Sequence, residues 1–281
     1  MQLREITAEE ITKTVRRLCI EANIVLGEDI IGAYRRGIEE EISPTGKDIF
    51  RQLLENARIA NAEGLAACQD TGMAVVFVEL GQDIHIIGGN LNEAITEGVR
   101  QGYKDGFFRA STLDPITRKN LGDNTPPVIH VEIVSGDKLK LSVIAKGFGG
   151  EMMSRVVLFP PAAGLEKVKE YVVELVEKAG AKPCPPVIVG VGIGGTFEKA
   201  AIIAKKALLR PIGSRHPNPE IAQIEEELLE KINQLGIGPQ GLGGRITAFD
   251  VHVETYPTHI ASIPVAVNIQ CHSNRHREAI L

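Results

Sequence analysis

Long apolar runs, an excess of basic charge, clustered cysteines and internal repeats are all missing from this sequence of 281 residues. No stretch stays apolar for the length a bilayer demands, so no membrane-spanning helix is expected. With 31 Lys and Arg against 36 Asp and Glu, the formal net charge of −5 offers no basic surface for nucleic acid or an anionic membrane. The opening Met1-Gln-Leu-Arg-Glu5 is polar and runs into an amphipathic segment, so no secretory signal is read there. Four widely separated cysteines without such a signal do not make a disulfide framework. A reducing cytoplasm is the expected location, where thiols are free to act as ligands. Neither a low-complexity tract nor a linker interrupts the chain, which is expected to fold as a single domain over 1–281 with a helical subregion at 1–64.

What is present is a change of period. Thr7-Ala-Glu-Glu10 has the form of a capping box, and Ile11, Val15, Leu18, Ala22 and Val25 follow it at helical spacing. Ile30, Ile31, Tyr34 and Ile38 mark a second helix; Ile49, Leu53, Ala57 and Ala60 mark a third. Strands are predicted at 73–80 and 84–87 across the turn Gly81-Gln-Asp83, and at 128–134 and 139–145 as a hairpin across Ser135-Gly-Asp137. Helices are predicted over 91–108, 165–179, 197–209 and 219–235, with further strands at 187–191, 246–254 and 263–269. The fold class is α/β in the mixed α+β sense: an N-terminal helical layer followed by mixed sheets packed with helices.

Three of the four cysteines lie in loops among turn formers, acids and histidines. Cys68 precedes Gln69-Asp-Thr-Gly72, where a buried thiol among polar groups is costly without a purpose. Asp70 there is a candidate acid or base, or the acceptor of an Asx turn. Cys184 is fixed between Pro183 and Pro185-Pro186. Cys271 is followed by His272-Ser-Asn-Arg-His276, which would otherwise be a solvated basic tail, and His259 lies upstream of it across a strand. Cys19 falls on the apolar stripe of the first helix and is assigned to the core. Thiolates in such settings suit a metal or an iron–sulfur cluster, and three ligands rather than four leave one coordination position open for a substrate. Arg109, Arg118, Arg210 and Arg215 lie in or beside loops, where arginine suits carboxylate recognition, and spacing does not choose among them. Gly190-Val-Gly-Ile-Gly-Gly195 matches a dinucleotide-binding fingerprint literally but lacks the acidic residue at the end of a following strand. Its glycines are read as letting a helix N-terminus approach an anion or pack against the cluster.

Read together and in order, Cys68-Gln-Asp-Thr-Gly72, Asn120-Leu-Gly-Asp-Asn-Thr-Pro126, Ala145-Lys-Gly-Phe-Gly-Gly150, Lys182-Pro-Cys-Pro-Pro186, Arg210-Pro-Ile-Gly-Ser-Arg-His216 and Leu235-Gly-Ile-Gly-Pro-Gln240 are distinctive. The chain resembles the class I, iron–sulfur fumarate hydratases, specifically the α subunit of the two-subunit type. The resemblance implies a [4Fe-4S] cluster held by Cys68, Cys184 and Cys271, whose open iron serves as Lewis acid in the interconversion of (S)-malate and fumarate. It places Asp70 beside the reacting carbons, Gln69 next to the cluster, Arg109 on a substrate carboxylate, and Gly149 as a backbone donor to the substrate. His259 matches a histidine that hydrogen-bonds the substrate, and with Asp70 it makes the implied catalytic pair. The family's remaining cations and a catalytic threonine lie in a region this sequence does not contain. A β subunit is therefore expected to complete the site, in an α₂β₂ assembly.

The nearest alternative is the α subunit of L-tartrate dehydratase, which shares the Cys-Gln-Asp-Thr-Gly, Cys-Pro-Pro and Gly-Ser-Arg-His-Pro-Asn-Pro stretches. Lys146-Gly-Phe-Gly-Gly150 and Gly122-Asp-Asn-Thr-Pro126 look more like fumarase. A zinc hydrolase or a non-catalytic scaffold are the alternatives from other classes.

Overall fold

The computed structural model describes residues 3–281. By its internal contacts the chain divides into two compact units, one of Met1–Gly27, Asn56–Gly147 and Arg275–Leu281, the other of Glu28–Glu55 and Phe148–Asn274. Each unit is thus assembled from separated stretches of sequence. No linker of distinctive composition marks the boundaries, one of which falls inside a helix.

The elements in chain order are β1 (Arg4–Thr7), α1 (Ala8–Ile24), α2 (Glu28–Glu40), α3 (Pro44–Glu63), β2 (Met73–Gly81), β3 (Ile84–Ile87), α4 (Leu91–Asp105), β4 (Val128–Val134), β5 (Leu139–Lys146), α5 (Phe148–Glu151), β6 (Arg155–Phe159), α6 (Gly164–Ala179), β7 (Val187–Gly194), α7 (Phe197–Ala207), α8 (Pro219–Asn233), β8 (Ala248–Tyr256), β9 (Ile263–Gln270) and β10 (His276–Ile280). The mixed α+β class holds. The helical start begins with a short strand, β1, paired in parallel with β3.

In the first unit α1 starts at the expected capping box: Thr7 Oγ1 accepts the Glu10 N–H at 3.1 Å, and the Thr7 N–H donates to Glu10 Oε2 at 2.9 Å. Its apolar stripe, Ile11, Val15, Leu18, Cys19 and Ala22, is buried. Glycines let α4 lie close against it: a Cβ on Gly98 would stand 2.7 Å from the Thr12 carbonyl, and one on Gly102 2.7 Å from Cys19 Cβ. The sheet runs β10-β5-β2-β4. The predicted hairpin of 128–134 with 139–145 is not formed. β2 lies between those strands, parallel to β4 and antiparallel to β5. Its run Ala74–Val78 is buried throughout, as a central strand requires, whereas β4 is exposed enough for an edge.

The second unit holds a sheet of order β6-β9-β7-β8. One face packs Val187, Val189, Val191, Val251, Val253, Val265, Val267 and Ile269 against α6 and α8. Burying each such side chain contributes about 1.5–3 kcal/mol. The other face receives α7 along Gly190 and Gly192. A Cβ there would stand 2.0 Å from the Ala204 carbonyl and 2.2 Å from that of Ala200. Gly190 and Gly192 of the fingerprint therefore serve close contact between a helix body and a strand. β8 is an edge whose amides are met by side chains: Asn233 Oδ1 accepts from Thr247 and Ala248, Asp250 Oδ1 from Val251, and Glu225 Oε1 from Val253. Among the described residues no helix is long and apolar enough to cross a membrane.

Candidate functional site

In the first unit the turn carrying Cys68 is held on both sides before it begins. The Ala67 N–H donates to the Asn23 carbonyl at 2.9 Å, and Asn56 Nδ2 donates to the Ala67 carbonyl at 2.8 Å. Cys68 and Asp70 are half-buried and Gln69 is exposed. Asp70 Oδ1 accepts the Gly72 N–H at 3.0 Å, so an Asx turn is present. Oδ2 is directed toward Gly147, 3.3 Å from where a Cβ would stand, and glycine keeps that space open. Gly72 itself has φ of 72°, and a Cβ on it would stand 2.7 Å from the carbonyl of Lys146 at the end of β5.

Beside this turn lies a buried cation, Arg275, to which the sequence reading gave no role. Ser273, Asn274 and Arg275 are only 3%, 3% and 2% exposed. Pairing of β10 with β5 draws this segment inward, and the Ala145 N–H donates to the Arg275 carbonyl at 3.0 Å. Arg275 Nη2 donates to the Asp70 carbonyl at 2.5 Å, and Nη1 to Asn23 Oδ1 at 3.0 Å. The buried Lys146 is a second cation beside the turn. Tyr103 donates to the Thr71 carbonyl at 2.7 Å; burial pushes its phenol pKa up and keeps it a neutral donor.

Arg109 belongs to the same unit. Thr71 Oγ1 donates to the Arg109 carbonyl at 3.0 Å, joining its loop to the residue after Asp70. The neighbouring Phe108 is buried, and the Ala110 carbonyl accepts Asn120 Nδ2 at 2.9 Å, while the Arg109 side chain is exposed. The backbone of Arg109 is thus held while its side chain is exposed.

In the second unit Cys184 and Cys271 lie on adjoining turns. Cys184 is exposed, with φ of 55°, and its N–H donates to the Ala181 carbonyl at 3.1 Å. The His272 N–H donates to the Cys184 carbonyl at 3.3 Å, linking the two turns. Cys271 Sγ lies 3.1 Å from Ser273 Oγ. His272 Nδ1 meets the buried Tyr34 hydroxyl at 2.7 Å, within a ring cluster that includes Phe50 and Phe249. Gly149 sits over this end: a Cβ on it would be 2.9 Å from the Lys182 carbonyl, and one on Gly150 would be 2.3 Å from that of Ile269. His259 is not brought here. It is exposed in the β8–β9 loop, and all of β9 separates it from Cys271, roughly 26 Å at about 3.3 Å per residue.

The arginines divide by their partners. Arg210 is paired with the buried Glu225 at 2.6 Å and Arg215 with the buried Asp250 at 2.7 Å. They hold the 210–216 loop against β8. Arg109 and Arg118 are exposed and outside those networks.

Among the described residues no three His, Cys, Asp or Glu side chains are gathered to hold one metal ion, the arrangement a mononuclear zinc site needs. An iron–sulfur cluster takes one thiolate per iron, so its ligands can stand on separate turns. Cys68, Cys184 and Cys271 all reach solvent, whereas burial pushes the Cys19 thiol up to about 12 and keeps it inert.

Residues 12–280 match the family model described as Fumarate hydratase (Fumerase). A protein of Methanocaldococcus jannaschii, named provisionally as L(+)-tartrate dehydratase subunit alpha, is 42% identical over 272 residues, covering 95% of each chain. The L(+)-tartrate dehydratase alpha subunits of Escherichia coli and Shigella sonnei are each 33% identical over 270 residues, covering 95% of this chain and 89% of theirs.

Proposed function

Because the chain belongs to the Fumarate hydratase (Fumerase) family, we propose that it is the α subunit of an iron–sulfur hydro-lyase interconverting (S)-malate with fumarate and water. The observation that carries the reading is the contrast among the thiols: one is sealed in a helical core, and three are presented on fixed turns. Cys68, Cys184 and Cys271 are the residues that would hold a [4Fe-4S] cluster. When bound, such a cluster supplies a Lewis-acidic iron for the departing hydroxyl.

The chain's own residues supply the surroundings. Arg109 binds one substrate carboxylate through its fork of N–H donors. Asp70, held through Oδ1 by the Gly72 N–H, is the group that moves the proton on the carbon next to the departing hydroxyl. Gln69 borders the cluster, and the Gly149 N–H donates to the substrate. Elimination builds negative charge next to a carboxylate, so both carboxylates of the substrate must be neutralised. One exposed arginine in this chain serves one of them. A β subunit supplies the remaining cations in an α₂β₂ enzyme, a reading supported by relatives that are named as alpha subunits. His259 lies far along β9 from Cys271, so any part it takes in the reaction is not served from beside that cysteine. Such an enzyme belongs in the reducing cytoplasm, where the cluster persists.

A second reading is favoured by the names of the relatives, which are L(+)-tartrate dehydratases. Tartrate differs from malate by one further hydroxyl, and loss of water from it gives the enol of a keto acid. The same residues would serve.

The test is iron and acid-labile sulfide on the anaerobically reconstituted chain, beside Cys68→Ala, Cys184→Ala and Cys271→Ala. About four of each per chain, lost in all three variants, is the expected result. A cluster that survives the substitutions, or zinc without sulfide, would sink the reading. The complex with its β subunit, assayed on malate and on L(+)-tartrate, then separates the two substrates.

A further inference from the structure

Asn124 is fully buried, yet it lies in a polar loop far in sequence from the turn it touches. Its Nδ2 donates to the Gly72 carbonyl at 3.1 Å. Its Oδ1 accepts the Ser111 N–H at 2.8 Å and the Thr112 hydroxyl at 3.1 Å. One side chain therefore joins the turn of Asp70 to the loop of Arg109. The Thr71 hydroxyl on the Arg109 carbonyl makes a second strap beside it.

The loop is built to hold that side chain in place. Asn124 has φ of 58°, a conformation asparagine tolerates better than most residues. Asp123 on one side accepts the Thr125 N–H at 3.1 Å and its hydroxyl at 2.7 Å. Arg100 of α4 donates to Asp123 at 2.8 Å, fixing the loop to a helix. Leu121 N–H donates to the Thr112 carbonyl at 3.0 Å, closing the excursion on itself. An amide that donates on one side and accepts on the other ties two segments at a set separation.

We propose that Asn124 is a positioning residue: it fixes how far Arg109 stands from Asp70, and so selects the dicarboxylate length that the site binds. The inference rests on the roles given above to Asp70 and Arg109. Asn124 touches no substrate. It acts by holding one group at a set separation from the other.

The experiment uses the assembled, cluster-loaded enzyme with its β subunit. Asn124→Asp keeps the shape and the acceptor for Ser111 while removing the donor to Gly72. With the donor lost and a carboxylate oxygen now facing the Gly72 carbonyl, the strap opens, and KM for malate should rise roughly tenfold with kcat changed by less than about threefold. Malonate, succinate and glutarate as inhibitors should lose their length discrimination in the variant. Combined with Arg109→Ala, Asn124→Asp should add nothing further to KM, because it works through that arginine. Thr71→Val, which removes the second strap, should behave likewise and stands in if Asn124→Asp does not fold. Additive effects in either double variant, or unchanged length discrimination, overturn the proposal. If Arg109→Ala alone leaves KM unchanged, the carboxylate role of Arg109 fails first and the positioning role falls with it.

Discussion

Arg275→Met tests whether the turn bearing Asp70 is held from below. The substitution keeps much of the aliphatic stem and removes the guanidinium. Lost are the bonds to the part-buried Asp70 carbonyl at 2.5 Å and to the buried Asn23 Oδ1 at 3.0 Å. Hydrogen bonds to a charged group contribute about 1.5–3 kcal/mol each. Part of that is returned, because the cation no longer has to be desolvated and its Nε lacks a partner. The net expectation is a loss of about 2–4 kcal/mol for Arg275→Met, and roughly half of that for Arg275→Lys, which can keep one bond. Urea unfolding, with midpoint and slope fitted together, measures the total. Amide exchange locates it: protection at Ala67 and Gly72 should fall by more than the global change requires, since those amides are held within this network. A variant within about 0.5 kcal/mol of the parent, or faster exchange confined to β10, would refute the reasoning.

Glu225 gives a pH signature. Burial opposes its ionisation, but the Arg210 guanidinium and the N–H groups of Val253 and His216 outweigh it and hold the carboxyl below its ordinary value of 4.5. A depressed folded pKa contributes stability that is fully present above about 4.5 and lost as pH falls through the folded value. Glu225→Gln should therefore flatten the acid limb of a stability–pH curve below about pH 4.5, while costing about 2–4 kcal/mol at neutral pH. An unaltered acid limb counts against it. Gly190→Ala should cost at least about 1–3 kcal/mol in thermal unfolding, because its Cβ would stand 2.0 Å from the Ala204 carbonyl. A neutral result would mean that α7 does not lie on β7 as described.

Much of the fold was legible where the rule is local. The capping box at Thr7 and Glu10, the stripe Ile11-Val15-Leu18-Ala22 and the strand at 128–134 follow from spacing and propensity within a few residues. Pairing was not legible. Ser135-Gly-Asp137 satisfies a hairpin locally, yet β2 takes the place between the strands because its uninterrupted apolar run must be covered on both faces. The strand at 276–280 was missed because its residues, His276-Arg-Glu-Ala-Ile280, read as a polar tail until β5 offers an edge to join.

The candidate site divides the same way. The sequence by itself determined which groups are candidates: three cysteines on turns set apart from a fourth on a helical stripe, an aspartate open to acid–base or Asx-turn use, and a set of loop arginines. Only the tertiary structure decided among them. It committed Arg210 and Arg215 to buried carboxylates, left Arg109 exposed, put His259 at the opposite end of β9 from Cys271, and buried Arg275 and Asn124 as struts. Side-chain chemistry and turn geometry are local properties of a few consecutive residues. Burial, charge pairing and separation depend on partners tens to hundreds of residues away, whose encounter is set by the packing of the whole unit.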